Sequence, residues 1–175
     1  MKKLAYVLLA LFALIAVPLL CLWLHGNVGI TENQMRAEVG GTEFGSQWER
    51  TGCSQVGENM AVFLTWPKGS STDGAVSLYV KRRGLSLGWF FRFGGSSSSI
   101  DTSIAELRVD GQPERAFVSM NQVGAAYFIV DDGNHAERRE LFPGEPFTVL
   151  LPLNCGALTF YDADGNELPT QLLYE

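Results

Sequence analysis

The chain opens with its longest apolar segment. Leu4–Leu24 spans 21 residues without a charge and follows Lys2 and Lys3 directly. About 20 apolar residues in a helix, at about 1.5 Å each, cross a bilayer core of about 30 Å. Because the two lysines precede the segment and the next positive charge is Arg36, residues 1–3 are expected to remain in the cytoplasm. The pattern predicts a single-pass anchor in the inner membrane with its C-terminal domain in the periplasm.

Two other interpretations of this segment stay open. A cleaved signal peptide has a shorter apolar region, about 7–15 residues, and ends in small residues at the cleavage site. If Gly26 or Gly29 were the last residue before the cleavage site, Leu24 or Asn27 would occupy position −3, where a small residue is preferred. Lipid attachment at Cys21 would require a small preceding residue, which Leu20 is not. An uncleaved anchor therefore fits the sequence best.

Beyond the anchor, apolar and polar positions alternate with the period of a β-strand. In Ala75–Arg82, Val76, Leu78 and Val80 fall on one face and polar residues on the other. Further strands are predicted at Asn59–Trp66, Leu85–Phe93, Ile104–Val109, Arg115–Met120, Gly124–Val130, Phe147–Leu153, Ala157–Tyr161 and Glu167–Tyr174. Many short strands separated by turns are typical of a mainly β fold, an antiparallel β-sandwich or barrel.

One exterior segment, Asn134–Leu141, is predicted to form a short helix. Asp132 or Asn134 would cap its start, and Pro143-Gly144 would end it. Residues 25–46 are rich in glycine and polar side chains and are interpreted as a linker. Residues 47–175 then form one extracytoplasmic β domain, since about 150 residues suffice for a single core.

The exterior portion is acidic. Without Lys2 and Lys3 it keeps 11 of the 13 basic residues against all 19 acidic ones, a formal charge of −8. Such a surface repels polyanions, so nucleic acid is excluded as a partner.

Cys53 and Cys155 are the two cysteines outside the apolar segment. An even number of cysteines in an oxidising compartment predicts a disulfide between them. Closing a loop of 102 positions would stabilise the fold by about 4–5 kcal/mol in the chain-entropy description. Two buried free thiols are the alternative.

No group of residues indicates catalysis. His135 is the only histidine beyond the membrane edge, and no G-x-S-x-G nucleophile motif occurs. The acidic turn Asp162–Glu167 lacks the EF-hand pattern, and no cluster of His and Cys suits a transition metal. The sequence thus predicts no catalytic residue, no metal site and no cofactor. A hydrolase with paired carboxylates and a β domain that binds a lipid or small ligand remain as alternatives.

The most unusual exterior patch combines basic and aromatic residues, Lys81-Arg82-Arg83 and Trp89–Phe93. Strand alternation would place Trp89, Phe91 and Phe93 on one face and Phe90 and Arg92 on the other. Aromatic residues and arginine dominate binding hot spots. Ser96, Ser97, Ser98 and Ser99 follow, and their composition predicts a flexible loop that inserts into a partner.

This candidate site predicts a protein-interaction module that binds another envelope or membrane protein. The module would be an accessory subunit of an envelope complex or an inhibitor or immunity protein. The alternatives are that both faces of 89–93 are buried and that the serines only connect two strands.

Three short segments resemble the invasion-associated locus B family of bacterial periplasmic β proteins. They are Trp48–Cys53, with a tryptophan shortly before a cysteine, Val109–Pro113, a strand followed by a turn, and Phe142–Glu145, which follows the expected helix. The resemblance implies a periplasmic binding or accessory role and no defined reaction.

Overall fold

A stack of three β-sheets makes up most of the chain beyond the N-terminal apolar helix. The computed structural model describes residues 2–41 and 50–175, and strands are its main secondary structure. Its helices are α1 (Lys2–Leu24), α2 (Glu32–Gly41) and α3 (Ser98–Thr102). Its strands are β1 (Arg50–Val56), β2 (Met60–Pro67), β3 (Ala75–Val80), β4 (Phe90–Ser96), β5 (Ile104–Arg108), β6 (Glu114–Ser119), β7 (Ala125–Asp131), β8 (Ala136–Glu140), β9 (Phe147–Pro152), β10 (Ala157–Asp162), β11 (Glu167–Leu168) and β12 (Thr170–Tyr174). The predicted mainly β class is confirmed.

Helix α1 confirms the apolar segment as one continuous helix. Tyr6–Leu24 is long and apolar enough to span a bilayer, and none of it is buried against the rest of the chain. Pro18 lies inside the helix, a position that membrane helices tolerate. Its exposed apolar side chains therefore match a lipid environment.

Each of the three sheets holds four strands of the described chain. The first sheet has the order β1-β2-β3-β4, the central sheet β12-β5-β6-β9, and the third sheet β11-β10-β7-β8. All neighbours pair antiparallel except β12, which runs parallel to β5. None of the three closes on itself, so the barrel alternative is excluded and an open, layered sandwich remains.

The central sheet is buried on both faces. Because successive side chains of its strands point to opposite faces, the core is divided into two clusters. Ala105 and Leu107 on β5 face the first sheet, where Val62 and Leu78 meet them. The other face of the central sheet carries an aromatic cluster with the third sheet, composed of Phe117, Phe128, Phe147 and Phe160. Burial of both faces fits the consecutive apolar residues Ala116–Val118 of β6 and Val149–Leu151 of β9.

The predicted linker of residues 25–46 is structured in its described part, residues 25–41. Thr31 and Gln34 form a reciprocal capping box at the start of α2, with Thr31 N donating to Gln34 Oε1 at 2.9 Å and Gln34 N to Thr31 Oγ1 at 3.3 Å. Met35 and Val39 then pack on the outer face of the first sheet. The described part of the predicted linker therefore contains a helix that packs on the first sheet; residues 42–46 lie outside the described part, and the domain boundary stays a prediction.

The helix predicted at Asn134–Leu141 was also wrong, because residues 136–140 form the edge strand β8. Asp132 does cap the segment, but its Oδ1 accepts from the backbone N–H groups of Asn134 and His135 within a hairpin turn. Gly133 occupies the left-handed region of that turn, with φ 87°. Every side chain of β8 is exposed, and such a charged edge discourages pairing with further strands.

Cys53 and Cys155 are not bonded to each other, so the disulfide prediction was wrong. Cys53 packs beside the core between the first and central sheets, and its Sγ lies 3.8 Å from the carbonyl oxygen of Pro146. Cys155 packs beside the core of the third sheet, and its Sγ lies 3.8 Å from Nη2 of Arg115. The two thiols belong to different layers, which a sequence pattern cannot show.

Candidate interaction site

A β-bulge in β4 decides where the aromatic and basic residues of this strand point. Leu78 pairs with Phe93 and the next residue, Tyr79, pairs with Phe91, so Arg92 is an extra residue without a partner across the strand pair. A bulge bends its strand and redirects the side chains on either side of it.

Because of the bulge, the predicted alternation holds for only part of the segment. Trp89 and Phe91 do share the outer face, where Phe91 meets Tyr79 edge-on with ring centroids 5.5 Å apart. Phe93 instead points inward and lies 4.9 Å from the ring centroid of Tyr174. The prediction that Phe93 shares a face with Trp89 and Phe91 was therefore wrong.

Phe90 and Arg92 lie at the mouth of an open cleft of about 250 Å³. Buried Val80 and Val109 contribute apolar surface to it, and Phe90 is half-buried. The cleft forms between the loop after β3, the start of β4 and the β5–β6 hairpin. Its lining also includes Arg82, Arg83, Phe91, Asp110, Gly111 and Gln112.

Hydrogen bonds fix the two sides of this cleft to each other. Gln112 in the hairpin donates from Nε2 to the carbonyl oxygen of Lys81 at 2.9 Å. The guanidinium carbon of Arg82 lies 4.0 Å from the ring centroid of Phe90, a cation–π contact. The position of Arg82 is thus set by packing on Phe90 and by a hydrogen bond to the backbone of Gly26.

The cleft is cationic, although the chain as a whole is acidic. Three arginines, Arg82, Arg83 and Arg92, line it together with a single carboxylate, that of Asp110. None of the three forms an ion pair with a carboxylate of the described residues, whereas Arg108, Arg115, Arg138 and Arg139 each do. Unpaired guanidinium groups beside an exposed aromatic ring suit a carboxylate or another anion.

The serine residues do not join this cleft, and they do not form a flexible loop. Ser96 ends β4, Ser97 caps α3 with its side chain, and Ser98 and Ser99 lie in that helix. Ser96 pairs with Ala75 at one end of β3, while Phe90 pairs with Val80 at the other. Along β4, Phe90 lies six positions and about 20 Å from Ser96, and Arg92 lies four positions and about 13 Å from it.

Reasoning from sequence found Phe90 and Arg92 but missed the residues that complete the cleft. Arg82 and Arg83 were noticed as neighbours in the chain. Asp110 and Gln112 come from a hairpin that only tertiary packing brings to β4. Their one signal in the sequence is the Asp110-Gly111 turn.

Three carboxylates have shifted pKa values, and all three shifts are downward. Hydrogen bonds from neighbouring groups lower the pKa values of Asp132, Glu137 and Asp162; the first two side chains are exposed and Asp162 is half-buried. A general acid requires the opposite direction. Across residues 2–41 and 50–175, no group of three or more His, Cys, Asp or Glu side chains is arranged to hold a metal ion.

Comparison with protein-family models, curated proteins and solved structures finds no match for this chain. The resemblance to the invasion-associated locus B family stays a prediction. Of its three segments, residues 48–49 lie outside the described part, and the helix expected before Phe142 is strand β8.

Proposed function

We propose that this protein is a membrane-anchored interaction module whose cleft at Phe90 and Arg92 binds an acidic segment of another envelope or membrane protein. The observation that carries the proposal is the set of three arginines without ion-pair partners around an apolar floor. Arginine and aromatic residues are the side chains that most often dominate protein interfaces.

The chemistry of the cleft selects the kind of partner. A carboxylate of the partner would sit between Arg83 and Arg92, and an apolar neighbour would cover Phe90 and Val109. Asp110 at the rim disfavours a second negative charge beside the first. A short segment with one acid next to an apolar residue therefore suits the site better than a polyanion, in keeping with the acidic charge of the whole chain.

Of the two modes expected from sequence, the accessory subunit is favoured over the inhibitor. The inhibitor mode depended on a flexible serine loop that inserts into a partner, and Ser98–Thr102 is helix α3 instead. An accessory subunit requires a surface held at a fixed place near the membrane, which a cleft connected to the anchor provides. The domain would lie outside the cytoplasm, in the periplasm of a bacterium.

Photocrosslinking from the cleft tests this function. A photoreactive phenylalanine analogue at Phe91, which is exposed and lines the cleft, is expected to capture a protein in intact cells. The adduct should fall at least tenfold in Arg83→Glu and Arg92→Glu and persist in Arg139→Glu, a matched charge reversal on the distant strand β8. An adduct equally strong in all three variants, or none in the parent, would contradict the proposal.

A further inference from the structure

The end of the membrane helix is tied closely to the exterior domain. The backbone N–H of Asn27 donates to the carbonyl oxygen of Leu22 at 2.8 Å, so residue 27 caps the C-terminal end of α1. From there the chain continues directly along the loop that joins β3 to β4, residues 81–89.

That loop is hydrogen-bonded to the helix end over several residues. The backbone N–H of Leu87 donates to the carbonyl oxygen of Asn27 at 2.8 Å, and that of Gly29 donates to Leu87 at 2.6 Å. Arg82 Nη1 donates to the carbonyl oxygen of Gly26 at 3.1 Å. A side chain at Gly29 would collide with the backbone of Trp89, so the close approach requires glycine.

These contacts limit how far the loop lies from the bilayer. The whole bilayer is about 40–45 Å thick and its core about 30 Å, which leaves about 5–8 Å of headgroup region on each side. The amide of Leu87 bonds to Asn27, and the amide of Asn27 in turn bonds to Leu22, which lies in the last turn of the spanning helix. The loop therefore falls within the headgroup region for any moderate tilt of α1.

The side chains of the loop suit that region. Leu85 is 85% exposed and Leu87 48%, and neighbouring Val28, joined to Leu87 by a β-bridge, is 40% exposed. Lys81 and Arg82 follow β3 directly and are exposed beside them. Apolar tips next to cations are typical of segments that lie in a membrane interface and meet anionic lipids.

We propose that loop 81–89 is a second membrane contact, which enters the headgroup region of the same bilayer that α1 crosses. Leu85 and Leu87 reach the acyl boundary, and Lys81 and Arg82 meet lipid phosphates. The contact restricts rotation of the domain about the anchor and sets which side of the sheet stack faces the membrane. It depends on α1 lying in a bilayer and not on any protein partner.

Fluorescence quenching from within the lipid tests the contact in the full chain. A variant with its three cysteines replaced by serine receives one new cysteine, at Leu85→Cys or at Phe142→Cys, labelled with an environment-sensitive dye. Phe142 is the matched control, because it is exposed and apolar but lies at the opposite end of the stack, beside Asn121 and the turn at Ser71. The protein is reconstituted in phosphatidylcholine vesicles with or without phosphatidylglycerol, and the quencher is a spin-labelled acyl chain.

The label at Leu85→Cys is expected to be quenched at least threefold more than the label at Phe142→Cys. In vesicles with phosphatidylglycerol, Lys81→Glu with Arg82→Glu should reduce this quenching. A Leu85→Cys label that only an aqueous quencher reaches would overturn the proposal. A second label at Leu87→Cys keeps the test valid if the first variant misfolds, which tryptophan fluorescence of the unlabelled protein would reveal.

Discussion

Single polar side chains fix the loops of this domain in place. The carboxylate of Glu114 accepts three backbone N–H groups, from Glu58 at 3.2 Å, Asn59 at 2.9 Å and Met60 at 2.7 Å. One half-buried side chain on β6 thus orders the turn between β1 and β2, which belongs to another sheet. A charged acceptor makes such bonds about twice as strong as neutral ones.

Tyr79 joins α2 to the first sheet in a similar way. Its hydroxyl group donates to Oε2 of Glu38 at 3.1 Å. Burial, followed by this hydrogen bond and the negative charge of Glu38, raises the pKa of Tyr79 to about 12. The folded protein therefore holds the phenol proton more tightly than the unfolded chain, whose tyrosines have pKa values of about 10.

This difference predicts a loss of stability at high pH. The contribution of Tyr79 is fully present below about pH 10 and is lost as the pH rises from about 10 to about 12. Tyr79→Phe should lack this dependence, and its tyrosinate absorbance should lack the last step of the titration. The free energy of unfolding against pH checks the prediction. Tyr161→Phe is the control and should lose stability at high pH as the parent protein does. If the stability of Tyr79→Phe fell with pH as steeply as that of the parent, the loss would not come from Tyr79.

At the level of elements, α2 shows how a polar segment becomes part of a domain. Its apolar residues are few, and only Met35 and Val39 are buried against Phe63 and Trp89 of the first sheet. The capping box, the Tyr79 hydrogen bond and the bridges at Val28 and Ile30 supply the remaining contacts. The helix thus depends on tertiary contacts, as most short helices do.

Met35→Ala is expected to lower the free energy of unfolding by about 2–4 kcal/mol, because Met35 is 0% exposed and its loss leaves a cavity. Chemical denaturation of the full chain in detergent micelles measures the change. If α2 detaches before the sheets unfold, the loss will appear as faster amide exchange in residues 32–41. Asn33 is exposed on the same helix, so Asn33→Ala should change neither the free energy of unfolding nor the amide exchange. If Met35→Ala left both quantities unaltered, the packing of α2 on the sheet would be contradicted.

The whole molecule is a layered stack in which Cys53 and Cys155 are not cross-linked. The central sheet buries both faces, so two cores share one set of strands. Glu106, Arg108 and Arg115 form a charged group at this sheet, with Arg115 also donating to the carbonyl oxygen of Gly156 at 3.0 Å. This group fixes the segment that carries Cys155, away from Cys53.

Because the cysteines are free, we expect three alkylated thiols per chain, at Cys21, Cys53 and Cys155, when the protein is denatured without reductant. In the native state Cys53 should react more slowly than in the unfolded chain, because burial raises the pKa of its thiol and the thiolate is the nucleophile. The double variant Cys53→Ala with Cys155→Ala should lose far less than the about 4–5 kcal/mol expected for a long disulfide loop. Mass spectrometry counts the alkylated thiols. A count of one, from Cys21 alone, would instead support a disulfide between Cys53 and Cys155.

Much of the fold follows from local sequence patterns. The N-terminal helix is predicted from an uninterrupted apolar length alone. Alternation predicts the strand Ala75–Val80, and an apolar run bounded by turns predicts the strand Phe147–Pro152. The candidate site was predicted in part, since Phe90 and Arg92 are adjacent to a basic cluster in the chain itself.

Tertiary structure decided what depends on neighbours distant in sequence. The charged residues Glu137–Glu140 of β8 fit a helix or an edge strand equally well, and pairing with β7 decides for the strand. The bulge at Arg92 arises from pairing with β3, and the cleft is completed by a hairpin from the central sheet. Apolar length and turn chemistry are properties of a few consecutive residues and can be read directly. Strand register, layer order and thiol separation are set by packing between segments, and no single segment contains that information.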